Sequence, residues 1–171
     1  MMGAGKTTIG KGLAKASGRE FLDTDALIER RLGRTVQQVF KIYTEQAFRD
    51  HETSILRSLA PGRAVISTGG GIVLRDQNWD EMRRIGITVY LDASAESIIG
   101  RLKFGRKKRP LLQTQNWQQR VREILSCRQD LYRKADITVN LDHMGVEQAI
   151  QAVLRAIQDY ERSARSEGTS P

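Results

Sequence analysis

The sequence predicts an α/β fold, a parallel sheet flanked by helices, on three observations. Short β-branched runs alternate with longer amphipathic stretches, the pattern of strands covered by helices. The apolar runs are each only a few residues long, as strands buried on both faces would be. The 171 residues are the length of one globular domain.

The strands read as Glu20–Leu22, Ala64–Ser67, Thr88–Leu91 and Ile137–Asn140. A helix is expected from Lys6 to Ser17, stopped by Gly18. Two more, near Ala26–Leu32 and Val36–Tyr43, are separated by Gly33. A longer one follows Thr44, a capping residue, and runs to Leu59 before Pro61-Gly62 breaks it. Ser94–Leu102, Trp117–Arg133 and Val146–Ala164 complete the helices, and the tail 165–171 reads as frayed. There is no internal repeat and no linker, so residues 1–171 read as a single domain.

Composition narrows the class. Hydrophobic residues at 39% and charged residues at 28% are polar but globular. No apolar run approaches the ~20 residues that cross a bilayer, and the lone Cys127 fits a reducing, cytoplasmic setting. His51 and His143 stand far apart, with no metal-ligand spacing. Net charge is +8, and six of the basic residues fall in the stretch 101–109, which holds no acid. Taking those six away leaves 8 − 6 = +2 for the rest. The excess is one patch.

Met1-Met-Gly-Ala-Gly-Lys-Thr-Thr8 carries the most specific signal. Small residues ahead of a helix let successive backbone N–H groups curl around phosphate oxygens. Lys6 would reach the phosphates and Thr7 a magnesium ion. The other reading is an ordinary loop before a helix. Phe21-Leu-Asp-Thr-Asp25 runs a strand into two carboxylates, and residues two apart on an extended segment share a side. A turn plus helix cap would use the same residues. Ser67-Thr-Gly-Gly-Gly71 permits positive φ and close approach, or is simply a flexible loop. Arg49 and Arg128 could grip a carboxylate or be solvated. Cys127 reads as a small, partly buried residue. The basic segment ending at Arg109-Pro-Leu-Leu112 reads as a loop: a lid at about 104–116, a solvated stretch or a nucleic-acid contact.

In this order the motifs resemble those of the shikimate kinases, P-loop enzymes of the nucleoside-monophosphate-kinase type. Gly3-Ala-Gly-Lys-Thr-Thr8, Asp23-Thr-Asp25, Phe48-Arg49, Gly69-Gly-Gly71, Arg109-Pro-Leu-Leu112 and Leu131-Tyr-Arg133 carry the resemblance across most of the chain. It implies transfer of a phosphoryl group from ATP, with Mg2+, to the 3-hydroxyl of shikimate, in a cytoplasmic monomer that uses neither nucleic acid nor membrane. On matching positions Gly3, Ala4, Gly5, Lys6, Thr7 and Thr8 would hold ATP, with Arg109 as a lid arginine and Arg101 a second contact. Thr7 would meet the metal directly, and Asp23 and Ser67 through water. Asp25 is the implied base and Lys6 and Arg109 the groups that assist transfer. Asp25, Arg49, Gly69, Gly70, Gly71 and Arg128 would bind shikimate. The loop 140–145 is expected near adenine. The alternatives are another sugar-acid kinase such as a gluconate kinase, an inactive truncated fragment, or a basic nucleic-acid-binding module.

The implied sheet order is 2-3-1-4-5, with the first strand central and leading into the phosphate loop. This chain opens inside that loop, so the strand and the loop's first glycine are not in it. Its neighbours would then carry unpaired groups at roughly 1–3 kcal/mol each, against a net stability of about 5–15 kcal/mol. A start assigned at an internal methionine is expected. In-frame codons upstream should spell a short apolar strand ending in glycine, and a stop codon there would contradict this.

Overall fold

A computed structural model describes residues 1–103 and 115–167. The order of elements is α1 (Lys6–Ser17), β1 (Glu20–Asp23), α2 (Thr24–Leu32), α3 (Val36–Ile42), α4 (Glu45–Ser58), β2 (Ala64–Ser67), α5 (Asp76–Ile85), β3 (Val89–Asp92), α6 (Ala95–Lys103), α7 (Trp117–Tyr132), β4 (Ile137–Asn140) and α8 (Val146–Glu167). A 3-10 turn at Ile72–Leu74 leads into α5. The lid expected at 104–116, with Arg109, lies outside the described residues except for Gln115 and Asn116.

Local chemistry sets most boundaries. Gly18 and Gly33 end α1 and α2 in left-handed conformations, with φ of 62° at both. Thr35 starts α3 through a capping box with Gln38. The Thr44 hydroxyl accepts from the backbone N–H of Ala47 to start α4. Sequence reading missed α5, whose apolar residues Trp79, Met82 and Ile85 are diluted by seven polar ones. The tail also differs from expectation, since Arg165–Glu167 continue α8.

The four described strands pair in parallel, in two separate pairs, β1 with β2 and β3 with β4. They are less buried than predicted. In β4 only alternate residues are buried, because Thr138 and Asn140 face outward. The main core joins α1, α5, α7 and α8 to β3 and β4 through Ile9, Leu13, Trp79, Val121, Val153, Tyr90 and Ile137. A second core of Ile28, Val39, Phe48 and Ile55 binds α2, α3 and α4 together.

Between the two pairs lies a cavity of about 600 Å³, lined by Val65 and Ile66 of β2, Val89 and Leu91 of β3, and Ile9 and Leu13 of α1. It sits where the expected order places its central strand. The Met1 amine is buried beside it, and this burial, with Lys6 and Arg128 nearby, holds its pKa well below the ordinary value. A short β-branched strand ending in glycine, fused ahead of Met1, is expected to raise the melting temperature by about 5–10 °C. It should also slow amide exchange in β2 and β3. No change in either would contradict the cavity as a strand site.

Candidate active site

The phosphate loop rests on two glycines in left-handed conformations, Gly3 at φ 75° and Gly5 at φ 92°. Residues with a Cβ rarely take them. The turn sets the loop at the positive N-terminal end of α1. Lys6 Nζ donates to the Met1 carbonyl at 2.7 Å. The Thr7 hydroxyl donates to Asp23 Oδ2 at 3.3 Å. Asp23 Oδ1 accepts from the backbone N–H groups of Asp25 at 3.1 Å and Ala26 at 3.4 Å. One carboxylate thus caps α2, as the turn-plus-cap reading has it, and also reaches the phosphate loop. The parallel register sets Asp23 beside Ser67 at the carboxyl ends of β1 and β2, where open α/β sheets bind ligands.

Asp25 departs from expectation. The strand ends at Asp23, and Asp25 stands in the first turn of α2. The two carboxylates line one cavity even so, of about 890 Å³. That cavity runs from Gly3–Thr8 to Arg49, Arg128 and the glycine triplet, and past Arg101 to Leu141, Met144 and Gly145. Arg101 crosses it, donating to the Ala4 carbonyl and the Leu141 carbonyl at 3.3 Å each.

Arg49 is 6% exposed, in contrast to a solvated helix arginine. Its Nη1 donates to Glu52 Oε2 and its Nη2 to Glu45 Oε1, both at 2.6 Å. Burial opposes its charge, but Glu52 and Glu45 outweigh that and hold its pKa above the usual range. Glu52 is fully buried. Burial pushes its carboxyl pKa up, against the pull of Arg49 and with the repulsion of Asp25.

The three glycines are packed on the side where a Cβ would stand. A methyl group at Gly71 would fall 2.2 Å from Arg49 Nη1, and one at Gly69 2.6 Å from Glu52 Oε1 and 2.9 Å from Asp25 Oδ1. At Gly70 it would fall 3.2 Å from the backbone nitrogen of Met2. None of the three has positive φ. Glycine is required there for close approach, not for turn geometry, and the loop is no loose connector.

The family model described as shikimate kinase matches residues 2–158. The chain belongs to the shikimate kinase family. It is 39% identical over 162 residues to the shikimate kinase of Thermodesulfovibrio yellowstonii, covering 94% of this chain and 91% of that protein. The Geobacter sulfurreducens shikimate kinase is 38% identical, with coverage of 94% and 88%. Among solved structures, shikimate kinase from Acinetobacter baumannii in complex with shikimate superposes with a TM-score of 0.86 at 39% identity, covering 92% of this chain and 89% of that one. The Bacteroides thetaiotaomicron enzyme gives 0.84 at 32% identity, covering 92% of this chain and 94% of that one.

The cavity of this shikimate kinase family member gathers every expected site residue among those described. Arg109 lies outside them. Cys127 is exposed, contrary to expectation, because it faces away from the core on α7. Sequence reading missed Glu45 and Glu52 as partners of Arg49, although spacings of four and three residues on a helix announce them.

A folded-state pKa raised above the unfolded one gives a contribution that is fullest below the unfolded value and declines as pH rises through the folded one. Glu52→Gln removes that decline. In paired melts the stability difference between variant and parent should shift in the variant's favour as pH rises from about 4 toward about 7. Curves that stay parallel would contradict the raised pKa.

Proposed function

We propose that this chain transfers the γ-phosphoryl group of ATP to the 3-hydroxyl of shikimate, in the route to chorismate and the aromatic amino acids. The observation that carries the reading is the one continuous cavity between the phosphate loop and a buried arginine set on a glycine backbone. A polyphosphate donor and a carboxylate acceptor need these two ends. A buried guanidinium offers a planar fork that suits a carboxylate.

The loop N–H groups and Lys6 hold the phosphates of ATP, and Arg101 stands on the nucleotide side. Gly69 to Gly71 let the substrate ring lie against backbone, while Arg49 and Arg128 take its carboxylate. Asp25 accepts the proton of the 3-hydroxyl as that oxygen bonds to the γ-phosphorus and the bond to ADP breaks. The Thr7 hydroxyl, Asp23 and Ser67 form a set of hard oxygen donors that suits Mg2+, the last two through water. Bound there, the ion offsets charge on the phosphates. Phosphoryl transfer depends mostly on positioning and electrostatics, and these residues supply both.

A coupled ADP-release assay with shikimate and with gluconate, on this chain and on one extended ahead of Met1, tests the reading. Turnover with shikimate is expected, and turnover with gluconate alone would overturn it. Asp25→Asn should lower kcat by about 10²–10⁴-fold with little change in substrate KM. Arg49→Ala is a poor probe, since it strands a buried carboxylate at about 3–5 kcal/mol of stability. Gly71→Ala is cleaner: it should push the guanidinium aside and raise the shikimate KM about tenfold or more, with the ATP KM unchanged. An unaltered shikimate KM would refute the clamp.

A further inference from the structure

The three glycine carbonyls of the substrate loop are held differently. Gly69 O accepts from the backbone N–H of Ile72 at 3.3 Å and Gly71 O from that of Leu74 at 3.1 Å, both within the local turn. Gly70 O is instead held by α7, through the Tyr132 hydroxyl at 2.6 Å and Arg128 Nη1 at 3.4 Å. Tyr132 and Arg128 stand four residues apart, one above the other on a single helix face. The Tyr132 ring is 4% exposed and stacks on Tyr90 with centroids 5.2 Å apart. Its oxygen also lies 3.8 Å from Met1 Sδ, but its one proton serves the far shorter contact to the carbonyl.

We infer that Tyr132 is a positioning residue for the shikimate subsite: its hydroxyl pins Gly70, and so fixes Gly69 and Gly71 against Asp25, Glu52 and Arg49. The inference rests on the substrate assignment above. Its logic is mechanical. Neither Gly71 beside the Arg49 guanidinium nor Gly69 beside the two carboxylates has room for a methyl group. A shift of Gly70 therefore moves both ends of the acceptor subsite together, while among the described residues no hydrogen bond joins Tyr132 to Arg101 or Leu141 at the other end of the cavity. Burial pushes the Tyr132 pKa up, which keeps the hydroxyl protonated as a donor across the working range.

Tyr132→Phe keeps the stacked ring and removes only the oxygen. It should raise the shikimate KM, and the calorimetric shikimate Kd, roughly five- to tenfold, and leave the ATP KM unchanged. Tyr90→Phe, which removes a hydroxyl bonded to Asp92 Oδ1 at 2.8 Å in the same stack, should change neither. A merely structural role would scale all parameters with the folded fraction. Shikimate affinity unchanged in Tyr132→Phe, or both KM values raised alike, would overturn the inference. A parent that binds no shikimate would instead overturn the substrate assignment. A second readout needs no variant: in the parent, the Tyr132 hydroxyl proton should exchange slowly enough to be seen by NMR, with a cross-peak to the glycine loop. Exchange at the rate of free tyrosine would also overturn it.

Discussion

The end of the cavity proposed to take the acceptor depends on burying one positive charge. Arg49 reaches its place only because Glu52 and Glu45 flank it on α4 and because Gly71 offers bare backbone to its guanidinium. An arginine so enclosed would be costly without partners. With them, it is a rigid donor whose Nε has no hydrogen-bond partner among the described residues, as is also true of Glu52 Oε1. Phe48, the preceding residue, anchors the same helix turn in the second core and lies under the guanidinium, with its ring centroid 5.5 Å from Cζ.

The other end of the site depends on strand ends. Asp23 and Ser67 come together because β1 and β2 pair in register, and the phosphate loop reaches them through Thr7. α1 is bound to α8 at a close crossing, where a methyl group on Gly12 would fall 2.2 Å from Ile150 Cδ1. Helix packing thus holds the loop opposite the β1–β2 pair, although the sheet is not continuous between β2 and β3. That division explains how the site stays assembled across the slot: α1, the glycine triplet and the contacts of α7 to it span the two pairs.

Much of this was legible in the sequence. β2 and β4 have the expected limits, and so does α1, because Gly18 and the β-branched runs are local signals. The phosphate loop, Asp23, Asp25, Arg49 and Arg128 were found by motif order, and they meet in one cavity. What stayed hidden was tertiary. Asp25 is helical because Asp23 caps α2, which starts at Thr24, two residues before the expected Ala26. Helix α5 is weakly patterned because only Asn78 and Trp79 are buried on it. The depth of Arg49 and Glu52 depends on what α4 packs against, which no spacing within α4 reveals.

The central claim is that the buried arginine receives the acceptor's carboxylate. Calorimetric titration with shikimate and with its methyl ester, which keeps the hydroxyls and removes the charge, tests it most directly. The ester should bind at least about 30-fold more weakly, the least expected on losing one partner of a buried, hydrogen-bonded charge pair. Equal affinities for acid and ester would contradict the claim.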